Sequence, residues 1–274
     1  MPRVHRRGSH FSLFLLLISA AALAWSTTPA AGAQLQAAPP PVHVVEPPPK
    51  DWSAEQLEQR ADSLRAQKLY LDAIDYYNAA LAKKPKNALL YNKVGIVELM
   101  LQHLKDAEKN FHRAIKTDKN YAEAYNNLGA VYYFRKKYGK AVKQYRKAIK
   151  LYDDSASFHS NLGTAYFSQK KFVPAMTEYD HALALDPTIL DRTSSQGIVA
   201  QTSSVSDRAH YHYMLAKAFA HMGLADRSLL YLRMAMEEDY KGINDVYKDS
   251  EFAGLRKDPR FVELMKSRPQ AIPN

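Results

Sequence analysis

Cysteine is absent from this 274-residue chain. That excludes disulfides, thiolate metal sites, a cysteine nucleophile and a lipid attached through an N-terminal cysteine. Glycine is scarce, at 10 residues, which suits helices and disfavours an all-β fold. No glycine-rich loop stands where it could cradle a phosphate. No Asp or Glu occurs before Glu46, although the chain as a whole carries 28 acidic residues and a formal net charge of +10. His210 and His212 stand two apart, so on a helix they point to different faces and make no metal pair. Ser194, Ser195, Ser203 and Ser204 have no histidine at a spacing that would activate them. Neither chemistry nor a cofactor or metal site is legible, and the function expected is non-enzymatic.

What the N-terminus does contain is an export pattern. Arg3, Arg6 and Arg7 form a basic segment, Phe11 to Trp25 is apolar, and Ala31-Gly32-Ala33 offers small residues for cleavage before Gln34. A helix of 15 residues spans about 22 Å, short of the ~30 Å hydrocarbon core of a bilayer. A cleaved Sec signal over 1–33 and a periplasmic address are therefore expected. An uncleaved N-terminal membrane anchor is the alternative. Residues 34–53 are proline-rich and favour extended polyproline backbone, so they are read as a linker.

From Ala54 onward the sequence repeats itself at one fixed step. Ala61, Gly95, Gly129 and Gly163 form one series. Ala73, Ala107, Ala141 and Ala175 form a second, and Ala80, Ala114, Ala148 and Ala182 a third. The fourth is aromatic: Tyr77, Phe111, Tyr145 and Tyr179. A step of this length, equal in all four series, signals stacked helix pairs. Helix A of the first pair is expected near 54–67 and helix B near 70–83, with Pro85 ending the pair. Later pairs start near Ala88, Ala122 and Ala156, and Pro187 closes the fourth. A glycine inside a helix costs about 1 kcal/mol relative to alanine. Three at one position imply a close approach of helix A to its partner, where a Cβ would intrude. The aromatics are expected to fill wider gaps between pairs.

These motifs resemble the tetratricopeptide repeat (TPR) family. Tyr125, Leu128, Gly129, Tyr132, Ala141, Tyr145 and Ala148 make one complete repeat. His159, Leu162, Gly163, Tyr166, Ala175, Tyr179, Ala182 and Pro187 make another, and Tyr91, Val94, Gly95, Ala107, Phe111 and Ala114 a third. The resemblance implies an all-α fold: a right-handed superhelical solenoid of antiparallel helix pairs, with four repeats over 54–189. It also implies that the inner faces of the A helices line a concave groove for a protein or peptide. Positions matching that face include Asn92, Asn126, Ser160 and Tyr213, then Ile96, Ala130, Thr164 and Lys217, then Leu99, Tyr133 and Phe167. Amides and hydroxyls there suit a peptide backbone and aromatics suit its side chains. The other reading of Asn126 and Asn161 is that they tie adjacent helices together. Glu58 and Asp62 oppose the basic carboxylate clamp that some members use.

A fifth, divergent pair over 209–242 carries Leu215, Ala216, Phe219, Leu232 and Ala235, with Ala216 in the glycine position. An insert precedes it, at 190–208, read either as a surface loop or as a recognition loop. Ser206 or Asp207 is a candidate cap for the helix that follows. Phe252, Leu255, Phe261, Leu264 and Met265 place capping helices over 243–268, with Asp258-Pro259 as a helix start and 269–274 as a tail.

Charge is uneven. Residues 83–150 hold 17 Lys or Arg against 5 Asp or Glu. Lys136, Lys140, Lys143, Lys147 and Lys150 form a stripe along the third helix B. It is either a solvated outer face or a surface for anionic membrane headgroups or an envelope polymer. Nucleic acid does not suit an exported chain. The function expected is an interaction scaffold of the bacterial cell envelope, with its oligomeric state left open.

Overall fold

The computed structural model describes residues 43–190 and 205–269. The expected signal segment, most of the expected insert and residues 270–274 lie outside the described residues. Contacts divide the chain into Met1–Pro40 and Pro41–Asn274, and all described residues belong to the second unit. Its elements are helical. Four pairs run in sequence: α1 (Ala54–Ala66) with α2 (Tyr70–Lys83), α3 (Ala88–Met100) with α4 (Leu104–Thr117), α5 (Ala122–Phe134) with α6 (Tyr138–Leu151), and α7 (Ala156–Ser168) with α8 (Phe172–Leu185). A fifth pair follows, α9 (Val205–His221) with α10 (Ala225–Glu237). Three 3₁₀ turns, at 243–247, 250–252 and 255–257, then lead into α11 (Pro259–Ser267).

Each helix packs on its partner, and the second helix of a pair packs on the first helix of the next. The close approach expected at the glycines is present. An ideal Cβ on Gly95, Gly129 or Gly163 would lie 2.6, 2.5 or 2.7 Å from the ring of Phe111, Tyr145 or Tyr179, respectively. The aromatics are not confined to gaps between pairs, although Tyr179 also meets Tyr211 of the next pair at 6.3 Å. Each lies on the glycine of its own pair, fully buried. In the fifth pair Ala216 and Leu232 hold the corresponding positions, and both are fully buried.

The A–B turns share a device that composition does not reveal. Lys68, Gln102, Lys136 and Lys170 all have positive φ, between 57° and 63°. The fifth pair uses Gly223 there, at 72°. One left-handed residue per turn reverses the chain within a short connection, and a non-glycine residue stands there at some cost.

The ends are closed by different means. Ser53 and Gln56 form a reciprocal capping box at the start of α1. Before it, part of the expected linker is held in place. The backbone amides of Val44 and Val45 donate to the buried Asp72 carboxylate, and the Tyr76 hydroxyl donates to the carbonyl of Glu46. Trp52 packs edge-on against Tyr76 at 6.2 Å. Residues 43–52 thus cover α2 rather than hanging free. At the other end, Phe252, Leu255, Phe261, Leu264 and Met265 are buried against the fifth pair. Asp258 caps α11, with Pro259 first in the helix. The expected capping region is mostly 3₁₀ turn with a single α-helix. Ser206 and Asp207 lie inside α9 rather than capping it. The helix therefore already contains residues 205–208, which the sequence pattern places in the insert. No described helix is long and apolar enough to cross a membrane.

Candidate binding surface on the row of A helices

Successive A helices touch one another across the repeats, α3 on α5 and α5 on α7. Polar side chains stitch this row together at one offset, a repeat plus one residue. Asn127 Nδ2 donates to Asn92 Oδ1 at 3.0 Å, and Asn161 Nδ2 donates to Asn126 Oδ1 at 2.9 Å. The Asn126 amide also reaches Asn127 Oδ1 at 3.3 Å, joining the two steps into a ladder. Lys93 Nζ continues it toward α1, donating to Glu58 at 2.7 Å and Asp62 at 2.6 Å. In the last turn Tyr133 Oη and Ser168 Oγ are 3.1 Å apart, again at the same offset.

The electrostatics follow from these contacts. Burial opposes ionisation of Asp62, but hydrogen bonds from Lys93 and Tyr77 outweigh it and hold the carboxyl below its ordinary range. Burial likewise opposes the charge on Lys93, and Asp62 and Glu58 more than restore it. The two acids that argue against a basic clamp therefore form, with Lys93, a closed charge cluster at the first step of the row. Farther along, Tyr213 donates to Asp249 at 2.7 Å, and Lys217 pairs with Asp249 and Glu251.

The residues expected to grip a peptide are placed as follows. Asn92, Asn126, Tyr133, Ser160, Thr164 and Phe167 are all buried, none more than 8% exposed. Asn92 and Asn126 belong to the ladder. Tyr133 packs against Tyr138 at 5.4 Å and reaches Ser168. Thr164 accepts from the Tyr179 hydroxyl at 3.3 Å. Phe167 lies among Phe172, His210 and Tyr211. Helical spacing places them on the correct helices, but they lie beneath the surface, and Asn126 takes the helix-tying role weighed for it and Asn161.

The solvent-facing parts of the row are neighbours that the sequence pattern does not single out. Met100 and Phe134, the last residues of α3 and α5, are 51% and 39% exposed. They stand one repeat apart and two turns beyond Lys93 and Asn127 on their helices, so each shares the face that carries the ladder. A scan at the repeat step finds the pair, but only exposure distinguishes it from core.

The basic stripe lies on the other row. Lys140 and Lys147 sit over the rings of Tyr132 and Tyr125, each 5.7 Å from the ring centre. Lys143, Lys147 and Lys150 line an open cleft of about 590 Å³ together with Tyr125, Gln144 and Arg146. Lys136 is in the turn before α6 and not on the helix. His210 stacks on Tyr240 at 5.4 Å, and His212 pairs with Glu238 at 2.7 Å, so both are engaged in packing.

Comparison with known proteins agrees with this architecture. A family model described as TPR repeat matches residues 131–170, across the third and fourth pairs. No curated protein matches the chain. Among solved structures, PilF of Pseudomonas aeruginosa is similar with a TM-score of 0.52 and 15% identity, over 80% of this chain and 99% of that one. MamA is similar with a TM-score of 0.48 and 20% identity, over 72% and 95% of the two chains. YrrB, described as a TPR protein with an unusual peptide-binding site, gives 0.47 and 16% over 72% and 93%. Residues 131–170 match a tetratricopeptide repeat, and the helix pairs and glycine–aromatic contacts on either side continue the same architecture.

Proposed function

We propose that the chain is a non-enzymatic interaction scaffold of the bacterial cell envelope that holds a peptide or protein segment along its row of A helices. The observation that carries this is the row itself. An amide ladder fixes three helices at one offset, and on the same face Met100 and Phe134 leave apolar area exposed at one repeat spacing. A rigid row with apolar footholds and polar groups between them suits an extended or helical segment, because little ordering is left for binding to impose. The export pattern over 1–33 is the support for the envelope address. N-terminal sequencing of the protein from a native envelope fraction should begin near Gln34; an intact Met1 in cytosolic protein would remove that address.

The test of the surface is a pair of variants in a crosslinked pull-down. Met100→Asp with Phe134→Asp should leave the fold intact and lose the partner. Neutralising Lys140, Lys143 and Lys147 should keep it. A second reading, contact with an anionic membrane or polymer, is favoured by the cleft among Lys143, Arg146, Lys147 and Lys150. It predicts the opposite outcome, and binding that weakens steeply from low to physiological salt.

A further inference from the structure

The structure offers one group of three metal-ligating side chains within reach of one another among the described residues: His159 on α7, with Glu178 and His181 on α8. One ligand atom from each lies within 4.8 Å of the others. Comparison of the repeats shows what is special about them. The same three positions hold Tyr91, Asn110 and Arg113 in the second repeat, and Tyr125, Gln144 and Lys147 in the third. There the trio forms a cation over a ring, with Arg113 on Tyr91 and Lys147 on Tyr125, each at 5.7 Å. In the fourth repeat the ring, the amide and the cation are all replaced, by two imidazoles and a carboxylate.

The ring orientation is inherited from the earlier repeats. The Tyr91 hydroxyl donates to the Pro85 carbonyl, and the Tyr125 hydroxyl donates to the Lys119 carbonyl, in each case back to the turn before the helix. His159 Nε2 makes the equivalent bond, to the Asp153 carbonyl at 3.0 Å. A carbonyl only accepts, so Nε2 carries the proton and the other ring nitrogen, Nδ1, is left as the ligand atom. Nδ1 faces Glu178 Oε2 at 2.7 Å. In the neutral ring these are two lone pairs, and a cation must lie between them, either a proton or a metal ion. His181 supplies the third donor, its ring 5.3 Å from that of His159 and nearly perpendicular to it. Glu178 and His181 are three apart on α8 and so share one face.

We propose that His159, Glu178 and His181 form a binding site for a divalent cation of the zinc class, bridging the two helices of the fourth repeat. Two imidazole nitrogens and one carboxylate oxygen suit that ion. His159 is buried and hydrogen-bonded behind the metal position, whereas His181 is exposed, which leaves room for water or a donor from a partner.

The test is calorimetric titration of zinc chloride alone into the full chain after chelator treatment. The wild type should show one-to-one binding and a thermal midpoint that rises with zinc. His181→Lys, which restores the residue type of the third repeat, should weaken binding at least about tenfold without changing the zinc-free midpoint. His159→Tyr should weaken zinc binding likewise, and if it fails to fold the lysine variant still decides. His103→Ala, at a surface histidine paired with Glu98, should bind as wild type. Wild-type affinity in His181→Lys, or no one-to-one site in the wild type, would overturn the assignment and leave a proton between His159 and Glu178.

Discussion

Replacing Gly129 with alanine adds one methyl group to a helix, which by itself should stabilise it by about 1 kcal/mol. The structure reverses that expectation. The new Cβ would lie 2.5 Å from Tyr145 Cε1, 2.7 Å from Cδ1 and 3.0 Å from Cζ. Carbon atoms rest at about 3.5–4.0 Å, so the ring must retreat by roughly 1 Å. Tyr145 is fully buried, and there is no solvent side to which it can retreat. Overpacking of this kind costs about 1–3 kcal/mol. The expected net effect is a destabilisation of about 1 kcal/mol for Gly129→Ala, and more for Gly129→Leu. Urea denaturation followed by helical circular dichroism measures it. The fifth pair supplies the control, because the positions equivalent to Gly129 and Tyr145 there hold Ala216 and Leu232. In a Tyr145→Leu background, Gly129→Ala should therefore become neutral or stabilising. A stabilising Gly129→Ala in the otherwise wild-type chain would mean that propensity alone, and not contact with Tyr145, governs the site.

Three further outcomes are expected. The Tyr145 hydroxyl is buried with no hydrogen-bond partner among the described residues, and the second repeat has Phe111 at that position; Tyr145→Phe should therefore raise stability by about 1 kcal/mol, and a loss would reveal a missed partner. In metal-free protein the hydrogen bond to Glu178 raises the His159 pKa above its ordinary 6.5 against the opposing effect of burial. That contribution is complete below about pH 6.5 and is lost as pH rises through the raised value, so His159→Tyr should flatten the fall in stability across that window, and an unchanged slope would place its origin elsewhere. Asp72→Ala removes the acceptor for the amides of Val44 and Val45, so hydrogen exchange at 43–46 should accelerate while α3 to α8 stay protected; unchanged exchange would mean that Trp52 and Tyr76 hold the segment unaided.

The repeats are legible because their signals are local and recur. Starts at Ala88, Ala122 and Ala156 coincide with α3, α5 and α7, and Pro85 and Pro187 each fall just after the ends of α2 and α8. The glycine series foretells a close approach, but spacing along one helix does not say what lies across from it, and the ring that approaches comes from within the pair. The same limit hides the surface. Asn126, Tyr133 and Phe167 have helical spacing appropriate to an inner face; the offset of a repeat plus one residue that engages Asn126 and Tyr133, and the rings from α8 and α9 around Phe167, arise only when the helices meet. Residues 43–52 are rich in proline and read as a spacer; the buried Asp72 carboxylate, the Tyr76 hydroxyl and the Trp52–Tyr76 contact together hold them down. The His159 trio is drawn from two separate helices, with no motif in one stretch of chain.

Site-specific photocrosslinking asks whether a partner lies along the row of A helices. A photoreactive residue is placed at Phe134 on the row, at Lys143 in the basic cleft, or at Val173, which is apolar and 80% exposed at the start of α8. In the native envelope, Phe134 should yield one discrete crosslinked species that survives physiological salt, and Val173 should yield none, which excludes mere stickiness. A partner captured at Lys143 and not at Phe134, and lost as salt is raised, would contradict that placement and put binding on the basic face.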